Sequence, residues 1–201
     1  ASFGKPIIMS TGMASIEEID EAFLVLRECG IPKNKITILQ CTSAYPTPPK
    51  EVNLRVLETL RNKFQVDTGI SDHSVSIAIP IASVALGAIL VEKHLTLDKN
   101  LPGPDHASSI EPNEFKTMVD GIRDIELALG NGIKKITLSE SINRDLVRKS
   151  LVAKKLIKKG DLFTSENLDC KRPGNGLSPF RWDEIIGKTS DRDYYKDQQI
   201  T

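Results

Sequence analysis

Two tripeptides, Ser71-Asp72-His73 and Glu92-Lys93-His94, constrain the fold more than any other feature. Each closes a short apolar run, 66–70 and 88–91. Parallel strands buried on both faces read as near-continuous hydrophobic runs of this kind. Between them, residues 77–87 predict one covering helix with Pro80 in its first turn, where a missing N–H is tolerated. The unit is strand, helix, strand, with a polar triplet ending each strand. In parallel α/β architectures the carboxyl ends of strands carry the chemistry. Two of the chain's three histidines thus fall at matching ends of successive strands, each beside a carboxylate. They are placed to share one metal ion, with the acids as groups that orient the rings. The alternative is a pair of imidazoles satisfied by backbone groups.

The same rhythm runs through the preceding residues. Residues 5–9 predict a first strand, ending in Ser10-Thr11-Gly12-Met13. A helix follows: Ser15 is its N-cap, Glu18 completes a capping box, Gly30 stops it, and Ile19, Phe23 and Leu26 share a face. Residues 36–39 predict the second strand, followed by Gln40 to Pro49, a stiff loop in which Pro46, Pro48 and Pro49 exclude helix. Helical spacing returns over 52–64, at Leu54, Leu57, Leu60 and Phe64. After the fourth strand comes a polar, turn-rich stretch, then a helix over 112–129 with Phe115, Met118, Ile122, Ile125 and Leu129 on one face. Residues 133–147 read as a linker. From 148 to 201 the apolar segments are short and β-like (150–152, 162–163 and 168–170), and their sparseness predicts a small domain that leans on a partner surface.

Four βα units are half of the eight that a parallel barrel needs. An open four-stranded sheet would leave long edges, which natural proteins avoid. The expectation is therefore the second half of a barrel over residues 1–132, whose first half lies outside this sequence.

Composition narrows the function classes. Basic and acidic residues balance at 27 each in a chain of 201, so bulk charge predicts neither a nucleic-acid nor a membrane partner. The longest apolar stretch, 77–91, is too short to span a bilayer comfortably. The N-terminus lacks the order of a signal peptide. Cys29, Cys41 and Cys170 lack metal-type pair spacing and read as small core thiols in a reducing compartment. A cytoplasmic location is the resulting expectation.

Six motifs then point to a family. Ser10-Thr11-Gly12-Met13, Cys41 to Pro48, Gly69 to His73, Glu92-Lys93-His94, Pro102-Gly103-Pro104-Asp105-His106 and Lys171 to Gly176 resemble, in order, the sialic acid synthases and their legionaminic, pseudaminic and spore-coat relatives. The resemblance implies strands five to eight of a TIM (β/α)8 barrel, followed by a β-clip domain of the antifreeze-like (SAF) type. It implies condensation of phosphoenolpyruvate with an N-acylmannosamine-type sugar in its open-chain form. A divalent metal, Mn2+ or alternatively Mg2+, polarises the aldehyde, and phosphate leaves with C–O cleavage. By motif match, His73 and His94 are the implied metal ligands. Ser10, Ser71 and Ser43 are the implied phosphoenolpyruvate contacts, Ser43 standing where some members carry Asn. Tyr45 and Asp105 are the implied sugar contacts. Arg172 is implied to reach a partner's barrel in a domain-swapped homodimer. The Pro102-to-Ser108 stretch is closer to the neuraminic and legionaminic branches than to the pseudaminic one.

Each residue also has a plain structural role open to it. Ser10 and Ser71 read equally as strand-end caps, Tyr45 as a loop anchor on Pro46 and Pro48, and Asp105 as a turn brace. Arg172 reads also as a solvated charge, and His106 as structural. Lys154, Lys155, Lys158 and Lys159 read as a solvated face. Two other function classes stay open. One is a non-enzymatic sugar- or anion-binding fragment, inactive for lack of the first half barrel. The other is an aldolase-type lyase, whose Schiff-base lysine has one strand candidate, Lys93; strand alternation turns that side chain towards the helices.

Overall fold

Four parallel strands form where the apolar runs lie: β1 (Ile7–Ser10), β2 (Ile36–Cys41), β3 (Asp67–Asp72) and β4 (Val91–Lys93), hydrogen-bonded in chain order. This computed structural model describes residues 4–201; residues 1–3 of the expected first domain lie outside the described residues. Helices α1 (Ile16–Glu28), α2 (Pro49–Val52), α3 (Val56–Phe64) and α4 (Ala78–Ala85) make the returns, and α5 (Pro112–Leu129) follows β4. Successive parallel strands joined by helices are the repeating unit of a (β/α)8 barrel, and this first unit, which ends at Gly132, is one half of such a barrel.

Helix α1 starts as its sequence dictates. The Glu18 amide donates to Ser15 Oγ, and the Ser15 amide donates to Glu18 Oε2 at 2.7 Å. Its buried residues Ile19 and Phe23 meet Ile36, Ile38, Leu60 and Phe64 on the helix side of the sheet, with the Phe23 and Phe64 rings 5.1 Å apart. Ile110, Met118 and Ile122 form a second cluster against Ile77, Ile81 and Val84.

Three expectations need correction. The ladders of β3 and β4 run past the apolar residues, so Ser71, Asp72, Glu92 and Lys93 lie inside strands. Hydrophobicity stops where the sheet meets polar chemistry; backbone hydrogen bonding does not. The helix expected over 52–64 is broken at Asn53, which is left-handed (φ 49°), and α2 opens at Pro49, whose fixed φ suits a first helical position. Residues 133–147 are not featureless: α6 (Leu138–Val147) begins at a capping box, with the Thr137 amide donating to Glu140 Oε2 at 3.0 Å.

The second unit, Ile133–Thr201, pairs β5 (Ser150–Ala153) antiparallel with β6 (Leu168–Lys171) and adds a short α7 (Trp182–Ile185). Leu162 forms a single bridge to Thr189 and no strand. Leu151, Ile157, Phe163, Leu168, Tyr194 and Ile200 give the unit a buried core of its own. The four lysines between 154 and 159 are exposed. The thiols are not all core residues: Cys29 caps α1 and is exposed, Cys41 is half-buried, and only Cys170, half-buried, packs against this core.

Candidate active site

Parallel register stacks the carboxyl ends of β2, β3 and β4 in layers. Leu39 is the partner of Gly69; Cys41 is the partner of Ser71, which is in turn the partner of Glu92. Alternation puts these on the inner face of the sheet. The close approach at the lower layer requires a glycine: a Cβ at Gly69 would lie 2.5 Å from the Leu90 carbonyl oxygen and 2.7 Å from Leu39 Cδ2. In the middle layer Ser71 Oγ donates to Glu92 Oε1 at 2.6 Å. The top layer is His73 and His94, whose rings stand perpendicular with centroids 5.2 Å apart.

Tyr45, from the loop after β2, covers both imidazoles. Its ring centroid lies 4.2 Å from that of His73 and 5.5 Å from that of His94. The loop is fixed beneath it by Thr47, whose amide donates to the His73 carbonyl at 3.0 Å and whose hydroxyl donates to the Ala44 carbonyl at 2.8 Å. Half of Tyr45 remains exposed.

The tautomer of His73 follows from its partner. Nδ1 lies 2.9 Å from the Thr42 carbonyl oxygen, which can only accept, so Nδ1 carries the proton. Nε2 then presents its lone pair. This is the arrangement a metal-bound imidazole uses, with the second nitrogen donating to a backbone carbonyl. His94 Nδ1 lies 3.9 Å from Asp105 Oδ2. Among the described residues no group of three or more His, Cys, Asp or Glu side chains gathers closely enough to hold an ion, so the chain itself offers two imidazoles.

The acids flanking the histidines do not orient the rings. Asp72 turns to the helix side and pairs with Lys93 Nζ at 2.6 Å, both side chains almost wholly buried. Glu92 engages Ser71. The groups that do meet the imidazoles, the Thr42 carbonyl and Asp105, come from loops, where residue spacing carries no signal. Lys93 points to the helices, lining the cleft against α5 with Phe115 and Met118; it is no Schiff-base candidate on the inner face.

The structure thus gathers His73, His94, Tyr45 and Asp105, with Ser71 one layer below. Ser43 lies against Gly12, where a Cβ would come within 2.1 Å of its Oγ. Ser10 ends β1 and is exposed. His106 bonds through Nδ1 to Thr96 Oγ1 at 2.7 Å and anchors its own loop. Arg172 is exposed in the second unit, its Nε donating to the Val147 carbonyl at 2.7 Å. Its loop is held by Ser150 Oγ, which donates to the Pro173 carbonyl at 2.7 Å and accepts from the Gly176 amide at 2.8 Å.

Comparison with known proteins was made against this geometry. The NeuB family model matches residues 1–134, and the SAF domain model matches residues 148–201. N,N'-diacetyllegionaminic acid synthase of Campylobacter jejuni is 50% identical over 200 residues, covering 100% of this chain and 60% of that protein. Pseudaminic acid synthase of the same species is 42% identical over 190 residues, covering 94% of this chain and 54% of that protein. The crystal structure of the spore coat polysaccharide biosynthesis protein SpsE of Bacillus subtilis matches with a TM-score of 0.60 at 36% identity, over 99% of this chain and 60% of that one. The chain therefore spans 54% to 60% of the length of these relatives.

Proposed function

The chain belongs to the NeuB family, and on that premise we propose that it supplies the second half of the catalytic barrel, with its SAF domain, of a nonulosonic acid synthase. The reaction joins C3 of phosphoenolpyruvate to the aldehyde carbon of an open-chain N-acyl sugar of the mannosamine type. Water adds at C2, and the C–O bond to phosphate breaks. The observation that carries this reading is the convergence of His73, His94, Tyr45 and Asp105 at the ends of adjacent parallel strands.

His73 and His94 would hold a divalent cation, Mn2+ or alternatively Mg2+, whose remaining positions take the oxygen ligands such ions favour. Bound there, the cation supplies Lewis-acid polarisation of a carbonyl oxygen. The Thr42 carbonyl keeps the His73 proton on Nδ1 and so keeps Nε2 available. Tyr45 packs its ring on both imidazoles and offers its hydroxyl to a sugar; Asp105 accepts from sugar hydroxyls. Ser10 and Ser43 donate to phosphate or carboxylate oxygens of phosphoenolpyruvate, and Ser71 does so once its hydroxyl turns from Glu92 Oε1. Arg172 delivers a bidentate cation to the barrel of a second subunit in a homodimer. The free thiols suit a cytoplasmic setting. Within Campylobacter jejuni, identity of 50% to the legionaminic synthase against 42% to the pseudaminic synthase favours a diacetamido sugar of the legionaminic type.

The test is phosphate release by the full-length protein that carries this chain, with N-acetylmannosamine and its deoxy diacetamido relatives as acceptors. Release that requires both sugar and Mn2+, and is abolished in His73→Ala, is expected. No release under any of these conditions would favour the binding-module reading. The 201-residue chain by itself is expected to be inactive, and robust turnover by it would overturn the half-barrel assignment.

A further inference from the structure

β4 is three residues long and its ladder to β3 ends at the Asp72–Lys93 rung. His73 and His94 form the next rung, beyond the last register partners. What fixes their separation is therefore not the backbone ladder alone. On the inner face the Ser71–Glu92 bond ties the strands. On the outer face Asp72 and Lys93, adjacent to the two histidines and direct register partners, form an ion pair of 2.6 Å with side-chain exposures of 1% and 2%. The pair is fully caged. Asp72 Oδ1 accepts from the Ser74 amide at 2.9 Å and Oδ2 from Ser74 Oγ at 3.1 Å, while Lys93 Nζ donates to the Ser74 carbonyl at 2.5 Å. Ser74 thereby joins the chain after His73 to the residue before His94.

We propose that Asp72 and Lys93 are positioning residues that lock the ends of β3 and β4 so that the His73 and His94 rings stay at a separation one ion can bridge. The proposal rests on the metal reading above. A buried pair is weak evidence for stability, since apolar replacements of similar volume are often as stable. Its location at the last rung, caged by the residue after His73, argues for a geometric role instead.

The test uses the full-length protein and two readouts. In the metal-free protein, nuclear Overhauser contacts between the His73 and His94 ring protons report ring separation without any metal. Mn2+ titration, by paramagnetic broadening and calorimetry, reports binding. The variants are Lys93→Met, Lys93→Arg and the double replacement Asp72→Leu/Lys93→Met, with folded fraction checked by circular dichroism. The expected result is that the folded double variant loses the inter-ring contacts and binds Mn2+ about 10–100-fold more weakly, the range typical of groups that support a ligand from behind. Lys93→Arg, which keeps the pair, retains both. Unchanged contacts and affinity in a folded Lys93→Met or double variant, or loss of the folded state in every variant, would overturn the proposal. Wild-type protein that shows the ring contacts but binds no Mn2+ would instead overturn the metal reading, leaving the ring contacts of the variants to decide the positioning role.

Discussion

Gly69→Ala is the sharpest test of the layered inner face, because it adds one methyl group where three atoms already stand. The new Cβ would meet the Leu90 carbonyl oxygen at 2.5 Å, Leu39 Cδ2 at 2.7 Å and Leu90 Cβ at 3.0 Å. Leu39 is fully buried and cannot swing into solvent. The Leu90 carbonyl is a ladder acceptor, taking the Ile70 amide at 2.9 Å, so relief moves β4 away from β3 or breaks that bond. Overpacking of this kind costs about 1–3 kcal/mol, and a weakened ladder bond about 1 kcal/mol more. Restricting the unfolded chain returns about 0.4–1 kcal/mol. The net loss of about 1–4 kcal/mol corresponds to a fall in melting midpoint of about 2–14 °C for a chain of this size. Thermal unfolding followed by far-ultraviolet circular dichroism measures it. Leu39→Val/Gly69→Ala removes the contact with Leu39 but not that with the Leu90 carbonyl, so it should recover part of the loss. An unchanged midpoint in Gly69→Ala would refute the packing argument, and full recovery in the double variant would show that the β3–β4 spacing is not set at Gly69.

Three further outcomes are expected. Thr137→Ala removes the cap of α6, a helix whose Leu138, Ile142 and Leu146 are all exposed; with no burial to hold it, loss of about 1 kcal/mol should raise amide exchange rates across 138–147. The Lys99 ammonium, bonded to the Glu114 carboxylate, holds its pKa below the ordinary glutamate range. A depressed folded pKa gives stability that is present above the unfolded value and lost as pH falls through the folded one; Lys99→Met should therefore flatten the acid limb of a stability–pH curve and raise the Glu114 titration midpoint by carbon-detected NMR. Tyr45→Ala deletes a half-exposed ring whose contacts are with His73 and His94. Aromatic contacts of this kind are worth about 0.5–1.5 kcal/mol, so the melting midpoint should move little while KM for the sugar rises, and Tyr45→Phe should separate the ring's part from that of the hydroxyl.

Much of the fold was legible because local signals agreed with it. Ser15 and Glu18 spell a capping box and form one; the helix expected over 112–129 runs over those residues. The site was legible as far as strand alternation reaches. His73 and His94 close matching runs, and they meet. What alternation cannot give is pairing across strands. Asp72 reads as a neighbour of His73, yet its partner is Lys93, twenty-one positions on, and only register reveals that. The break at Asn53 was invisible for another reason: its left-handed backbone falls just before Leu54, Leu57 and Leu60, whose helical spacing gives no sign of it. The helix at 138–147 had a signal, Thr137 and Glu140 at capping-box spacing, masked by the polar character of the segment.

The two faces of the sheet differ in a way that bears on how the site works. A parallel sheet is stable when both faces are covered. The outer face meets this condition through α1, α3, α4 and α5, and its buried charge is paired and caged. The inner face does not: Ile8 is 54% exposed, and Ser10 and Glu92 are open. An apolar side chain at β1 is a poor choice for a surface meant to face water, but it suits the lining of a closed barrel. The inner residues then serve two ends. Low in the strands, Leu39, Gly69 and Leu90 fill space; at the ends, Ser71, His73 and His94 carry polar groups into it. On the outer face helices and the Asp72–Lys93 pair hold the strand ends; on the inner face the Ser71–Glu92 bond ties them one layer below the imidazoles. His73 Nε2 thus stays open on the inner face while the strand ends around it are held from both faces.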